Sequence, residues 1–128
     1  HPSKAGAKRF GLQNWLAGLF RRRHYTIIAV DFDGCLCTRA WPNVGRPNWQ
    51  LIKWLNRQHN AYGTYVILWT CRCDEKLQDA VIACKKWGLH IDAVNENIPG
   101  RVNMYGNDCR KVSADLYIDD RAKRRTAK

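Results

Sequence analysis

The sequence predicts an α/β domain built on a central parallel sheet, and three observations carry that expectation. The run Ile27-Ile28-Ala29-Val30 is apolar on every position and ends abruptly in Asp31-Phe32-Asp33-Gly34. An uninterrupted β-branched run reads as a strand buried on both faces, as strands of parallel sheets are. A second run, Ala114 to Ile118, ends the same way in Asp119-Asp120. Between them, apolar runs alternate with segments of helical period joined by short turns. Strand-helix-strand-helix-strand order predicts parallel pairing with helices covering both faces.

The elements follow in order. Tyr25–Val30 is the first strand. The stretch Cys35–Arg46, holding Pro42 and Gly45 and followed by Pro47, reads as an irregular connection. Pro47 is expected to open a helix reaching about Asn60, with Leu51, Ile52 and Leu55 as its apolar stripe. Gly63 breaks that helix, and Thr64–Trp69 is the second strand. Asp74 is expected to N-cap a second helix that places Leu77, Ala80, Val81, Cys84 and Trp87 on one face and stops at Gly88. Ile91–Val94 reads as a third strand, residues 95–110 as loop, and Ala114–Ile118 as the last strand.

At 128 residues the chain is large enough for one domain and its core. The net charge of +11 is concentrated at the two ends. Lys4, Lys8, Arg9, Arg21, Arg22 and Arg23 lie before residue 27 with no acid among them, and Arg121, Lys123, Arg124, Arg125 and Lys128 close the chain. The middle is therefore balanced, and the expected organisation is a basic arm (1–24), a domain (25–121) and a basic tail (122–128). Such ends favour polyanions, either nucleic acid or an anionic membrane surface, with solvated termini as the plain alternative. In the arm, Leu12, Trp15, Leu16, Leu19 and Phe20 fall on one helical face, suited to docking on the domain, a second copy or a membrane surface. No apolar run approaches the roughly 20 residues of a membrane span. No secretory signal is evident, and six cysteines without one point to a reducing, cytoplasmic setting. The pairs Cys35/Cys37 and Cys71/Cys73 lack the usual zinc spacing. The first residue is His1, which fits a processed product or a piece of a longer chain.

Two strands that each end in a pair of carboxylates point to a hard divalent cation, and Mg2+ suits oxygen ligands best. Here the chain resembles the haloacid dehalogenase (HAD) superfamily of phosphoryl-transfer enzymes. The family's D-x-D-G motif stands as Asp31-Phe32-Asp33-Gly34, its strand-ending Thr or Ser as Thr70, its Lys as Lys111, and its acidic pair as Asp119-Asp120. The likeness spans residues 25–121 and implies a HAD-type, Rossmann-like three-layer sandwich. It also implies a Mg2+-dependent phosphomonoesterase. In that scheme Asp31 is the nucleophile that forms an aspartyl-phosphate, and Asp33 is the acid/base. Mg2+ would be held by Asp31, Asp33 and the Asp119/Asp120 pair, Thr70 would bond a phosphoryl oxygen, and Lys111, or the adjacent Arg110, would neutralise charge. Cys71 and Arg72 follow Thr70 as candidate substrate contacts, with a rim charge as the other reading of Arg72.

Two departures from the family pattern matter. Cys35 stands where Thr or Val usually follows D-x-D-G, which puts an oxidisable thiol beside the nucleophile. The intervals between elements are also too short for a cap domain. A capless site is open, so water must be excluded by the substrate, by a neighbouring subunit, or by the loop Trp41–Arg46. A phosphorylated nucleotide or polynucleotide is the favoured substrate class, because basic ends concentrate such ligands. The competing expectation is a non-enzymatic nucleic-acid-binding or scaffold module whose basic ends carry the function.

Overall fold

A computed structural model of the chain describes residues 25–96, 98, 113–119 and 125–126. In order they form β1 (Ile27–Val30), α1 (Trp49–Tyr62), β2 (Tyr65–Leu68), α2 (Asp74–Lys86), β3 (Ala93–Val94), β4 (Leu116–Ile118) and β5 (Arg125–Thr126). The sheet order is β3-β2-β1-β4-β5. The first four strands of the chain run parallel. Val30 pairs with Leu68 on one side and with Ile118 on the other, and Leu68 pairs in turn with Val94.

The strand order sets where the helices go. From β1 to β2 to β3 the chain steps twice in one direction, and right-handed crossovers put both helices on the same face. Ile28, Val30, Val66, Leu68, Leu116 and Ile118 point into that layer, where they meet Leu51, Ile52 and Leu55 of α1 and Ala80 and Cys84 of α2. Each fully buried Leu or Ile there contributes about 1.5–3 kcal/mol. Ile27, Ala29, Ile67 and Ala93 pack on the opposite face with Ile98 and Ala114. The expected helical cover on both faces is thus seen on one face among the described residues. The α/β class and the parallel sheet stand. The chain then returns to the other side of β1 for β4, so the strand order reverses between β1 and β4. In open α/β sheets, ligands bind at that point, beyond the carboxyl ends of the strands.

Several boundaries differ from expectation for identifiable reasons. Asn48, not Pro47, starts α1. Its Oδ1 accepts the Leu51 N–H at 3.3 Å, while its Nδ2 donates to the Cys35 carbonyl at 3.0 Å. One buried side chain thus caps the helix and pins the loop behind Asp33. Cys73 rather than Asp74 occupies the cap of α2, with no side-chain bond. Asp74 instead begins the helix at φ 51°, and with Glu75 it places negative charge on the first turn, where the helix dipole favours it. The tail is not wholly free of structure: Arg125 pairs antiparallel with Tyr117, and Thr126 with Leu116. That short strand covers what would otherwise be the open edge of β4. The arm (1–24), most of the tail, and Arg110, Lys111 and Asp120 lie outside the described residues.

Gly45 shows how tightly the connection after β1 is folded. Thr38 N–H donates to the Arg46 carbonyl at 2.9 Å, and Arg46 N–H donates to Thr38 Oγ1 at the same distance. A Cβ on Gly45 would lie 2.0 Å from the Thr38 carbonyl oxygen. Gly45→Ala is therefore expected to destabilise the fold by about 1–3 kcal/mol through overpacking. Urea unfolding of the variant checks this; a midpoint equal to wild type would show that the two strands of the loop part freely.

Candidate active site at the strand ends

Asp31 is the first residue beyond β1. Its N–H donates to the Ile118 carbonyl at 2.9 Å, and the Trp69 N–H donates to the Val30 carbonyl at 2.9 Å. The parallel ladders thus continue one step past the strands. Asp31 and Asp119, each one residue beyond the paired Val30 and Ile118, occupy neighbouring strand ends. Adjacent strands lie about 4.8 Å apart. Both acids are partly exposed. The Phe32 N–H donates to Asp31 Oδ1 at 2.7 Å, which orients that carboxylate.

Immediately afterwards the chain curls into a tight turn. The Phe32 carbonyl accepts from the N–H groups of Cys35, Leu36 and Cys37 at 3.3, 3.0 and 3.3 Å. Gly34 has φ 84° there, a conformation that a residue with a Cβ resists. The glycine of the motif is thus required by the turn. Phe32 goes to the core at 0% exposure and stacks on Trp87, with ring centroids 6.0 Å apart and planes 6° apart. Asp33 stays at the surface of the turn.

Arg72 determines what Asp33 can do. Its Nε donates to Asp33 Oδ2 and its Nη2 to Asp33 Oδ1, both at 2.8 Å. Nη2 also donates to the Asn43 carbonyl at 2.8 Å, and Nη1 to the carbonyls of Pro42 and Lys76 at 3.4 Å each. All five guanidinium donors are therefore committed within the protein. The guanidinium lies between the rings of Phe32, at 5.0 Å, and Trp41, at 4.9 Å. Its side chain is 1% exposed against 20% for Asp33. The hydrogen bond to Asp33 outweighs burial and raises the Arg72 pKa above its already high usual value. The expectation of Arg72 as a rim charge or substrate contact is replaced by an internal role: it is buried, and no donor is left over for a ligand.

Thr70 lies two residues beyond the end of β2. Its N–H donates to Asn95 Oδ1 at 2.8 Å, and its Oγ1 accepts the Arg72 N–H at 3.1 Å. Asn95 lies just past β3 at φ 53°, and its own N–H donates to the Leu68 carbonyl at 2.8 Å. Asn tolerates the left-handed region better than most residues, so the side chain can turn back across the edge to hold Thr70. Sequence reading missed Asn95; an Asn directly after a strand was the available signal. Cys71 is exposed on the following turn, as is Cys73.

The thiols do not join the site. Cys35 is 0% exposed, and its Sγ donates to the Ile118 carbonyl at 3.7 Å. Cys37 Sγ donates to the Phe32 carbonyl at 3.7 Å, and burial pushes its pKa up to about 11. Cys35 and Cys37 are buried while Cys71 and Cys73 are exposed, so the two pairs sit in different environments, and all four are free thiols. The structure brings together Asp31, Asp33, Thr70, Arg72 and Asp119; Lys111 and Asp120 are outside the described residues.

No protein-family model and no curated protein matches the chain. Among solved structures it is similar to that of a conserved protein coded by a locus of Bacteroides thetaiotaomicron. Sequence identity is 32% and the TM-score 0.66, over 77% of this chain and 78% of the other. At that identity and coverage, the chain belongs to the family of the Bacteroides thetaiotaomicron protein. No helix among the described residues is long and apolar enough to cross a membrane.

Removing Arg72 leaves the Asp33 charge without this partner and takes a donor from the loop carbonyls of Pro42 and Asn43 and from the Lys76 carbonyl of α2. Arg72→Ala is expected to cost about 3–5 kcal/mol. Arg72→Lys keeps the charge but cannot reproduce the planar fork, and is expected to lose about 1–3 kcal/mol. Equilibrium urea unfolding checks both. Stability within about 0.5 kcal/mol of wild type for Arg72→Ala would place the pair among weak surface contacts.

Proposed function

We propose that this chain is a Mg2+-dependent phosphomonoester hydrolase of HAD type, without a cap domain, that works through an aspartyl-phosphate on Asp31. The observation that supports it best is the meeting of Asp31, Asp119 and Thr70 at the carboxyl ends of three adjacent parallel strands. That place coincides with the reversal of strand order. The donor atoms also suit Mg2+. Asp31 and Asp119 offer hard carboxylate oxygens, and the nearby Cys35 thiol is turned to a backbone carbonyl instead. When bound, Mg2+ would offset the repulsion between a carboxylate nucleophile and a phosphate dianion.

The chain's own residues supply the rest. The Phe32 N–H orients the Asp31 carboxylate, which is the group that attacks phosphorus. The P–O bond to the leaving group breaks as the Asp31 O–P bond forms. Thr70 accepts from the Arg72 N–H through its Oγ1, and its hydroxyl would donate to a phosphoryl oxygen. Asp33 is the acid that protonates the leaving oxygen and the base that activates water in the second step. Both its oxygens face Arg72. The acid step therefore requires Asp33 to exchange one guanidinium contact for the leaving-group oxygen. Lys111 or Arg110 remains the proposed source of the compensating positive charge.

The connection between Gly34 and Trp49 is occupied by the tight turn and the Arg72-anchored loop, which leaves no room for a cap there. An open site suits a bulky phosphorylated substrate, and the basic ends favour a nucleotide or polynucleotide phosphate. Hydrolysis of an aryl phosphate in Mg2+ tests the reading. Asp31→Asn is expected to reduce turnover to background, and Asp33→Asn to lower it by roughly 10²–10⁴-fold. Wild-type activity in Asp31→Asn, or no Mg2+ dependence in the wild type, would overturn the mechanism.

A further inference from the structure

At the amino-terminal edge of the sheet, opposite the carboxylates, a second group of potential ligands converges. His59 lies in the last turn of α1, while His90 and Asp92 lie on the segment entering β3. One ligand atom from each falls within 4.8 Å of the others. The two imidazoles stack with centroids 3.6 Å apart and planes 17° apart. We propose that His59, His90 and Asp92 form a binding site for a borderline divalent transition-metal ion of the Zn2+ class, separate from the phosphoryl-transfer site and independent of that reading.

The hydrogen bonds around the group argue for this. His59 Nδ1 lies 3.0 Å from the Thr64 carbonyl. A carbonyl only accepts, so the proton is on Nδ1 and the lone pair is on Nε2. A backbone carbonyl holding the non-ligating nitrogen is the support that metal-binding histidines ordinarily have. Asp92 Oδ2 accepts the Val66 N–H at 2.8 Å, which leaves Oδ1 for the cluster, where it lies 2.8 Å from His90 Nε2. His90 is held by its backbone N–H, which donates to Asn56 Oδ1 at 3.0 Å, and Asn56 Nδ2 donates to the Gly88 carbonyl at 2.8 Å.

A proton now bridges His90 Nε2 and Asp92 Oδ1. With the proton on Nδ1, Nε2 can face a cation instead; the His90 side chain is 38% exposed, so water can take the Nδ1–H. Two imidazole nitrogens and a carboxylate match the donors zinc favours, with a fourth position left to water. Tetrahedral bonds of about 2.0–2.2 Å set ligand atoms about 3.4 Å apart, with the ion in the plane of each ring. Binding therefore requires the stacked imidazoles to swing out of their parallel arrangement, which their partial exposure permits. A bound ion would tie the end of α1 to the starts of β2 and β3, and would thereby stabilise the folded chain by mass action.

The test is titration of the full chain with Zn2+ alone. Calorimetry gives affinity and stoichiometry, and the imidazole resonances of the wild-type protein report the site directly. The expected result is one ion bound at this site at micromolar concentration or below, with the His59 and His90 ring signals moving together. His90→Ala and Asp92→Asn should each weaken binding by about tenfold or more. The double variant Cys71→Ser/Cys73→Ser should bind as wild type does, and in Asp31→Asn the His59 and His90 ring signals should still move with Zn2+ as they do in wild type. Unmoved His59 and His90 signals would overturn the proposal, as would binding that survives His90→Ala but is lost with the two exposed thiols. Neither result would touch the hydrolase reading, which the Asp31 variant tests separately.

Discussion

The ion pair between Arg72 and Asp33 joins three parts of the molecule that are distant in sequence. Asp33 belongs to the turn after β1, Arg72 to the turn between β2 and α2, and the carbonyls of Pro42 and Asn43 to the long loop before α1. Five donors from one planar group connect them. A lysine could not do this, because its point charge lacks the fork. Burial between Phe32 and Trp41 lowers the local dielectric and strengthens each bond, while the same burial makes any unmet donor costly. Full satisfaction of the guanidinium is the condition under which this arrangement is stable.

That constraint bears on the chemistry. Among the described residues, the order of the carboxylate edge comes from the strand ends and turns themselves. The parallel ladders set Asp31 and Asp119 to within a strand spacing, Asn95 sets Thr70, and Arg72 sets Asp33. Thr70 and Asp33 are thus each held by a hydrogen bond from a residue distant in sequence, the kind of support that preorganises a site. The loop around Trp41 is itself anchored by Arg72. Trp41 remains 60% exposed, with its ring 4.9 Å from the Arg72 guanidinium.

Much of this was legible in the sequence because the relevant signals are local. A β-branched run ending in Asp31-Phe32-Asp33-Gly34 specifies a buried strand and then a turn needing a residue free of Cβ, and both are present. The stripes of Leu51, Ile52 and Leu55 and of Ala80 and Cys84 placed the helices correctly. What was not legible depends on contacts across the chain. Arg72 reads as an ordinary strand-end cation until the fold brings Asp33 to it, 39 residues away. Asn48 outcompeted Pro47 and Asp74 lost the capping position because tertiary bonds, not local preference, decided the helix starts. His59 and His90 become neighbours only through the packing of α1 on the sheet. The strand at Arg125–Thr126 was hidden in a run whose charge suggested a free tail.

The central claim is that the carboxylate at the end of β1 accepts a phosphoryl group. Acid quenching during turnover of a phosphomonoester in Mg2+, followed by peptide mass mapping, tests it most directly. The account predicts one acid-stable, base-labile phosphoryl adduct on Asp31. It should accumulate when Asp33 is replaced by Asn, since release of phosphate then lacks its base. Turnover with no adduct on Asp31, or an adduct on another residue, would contradict it.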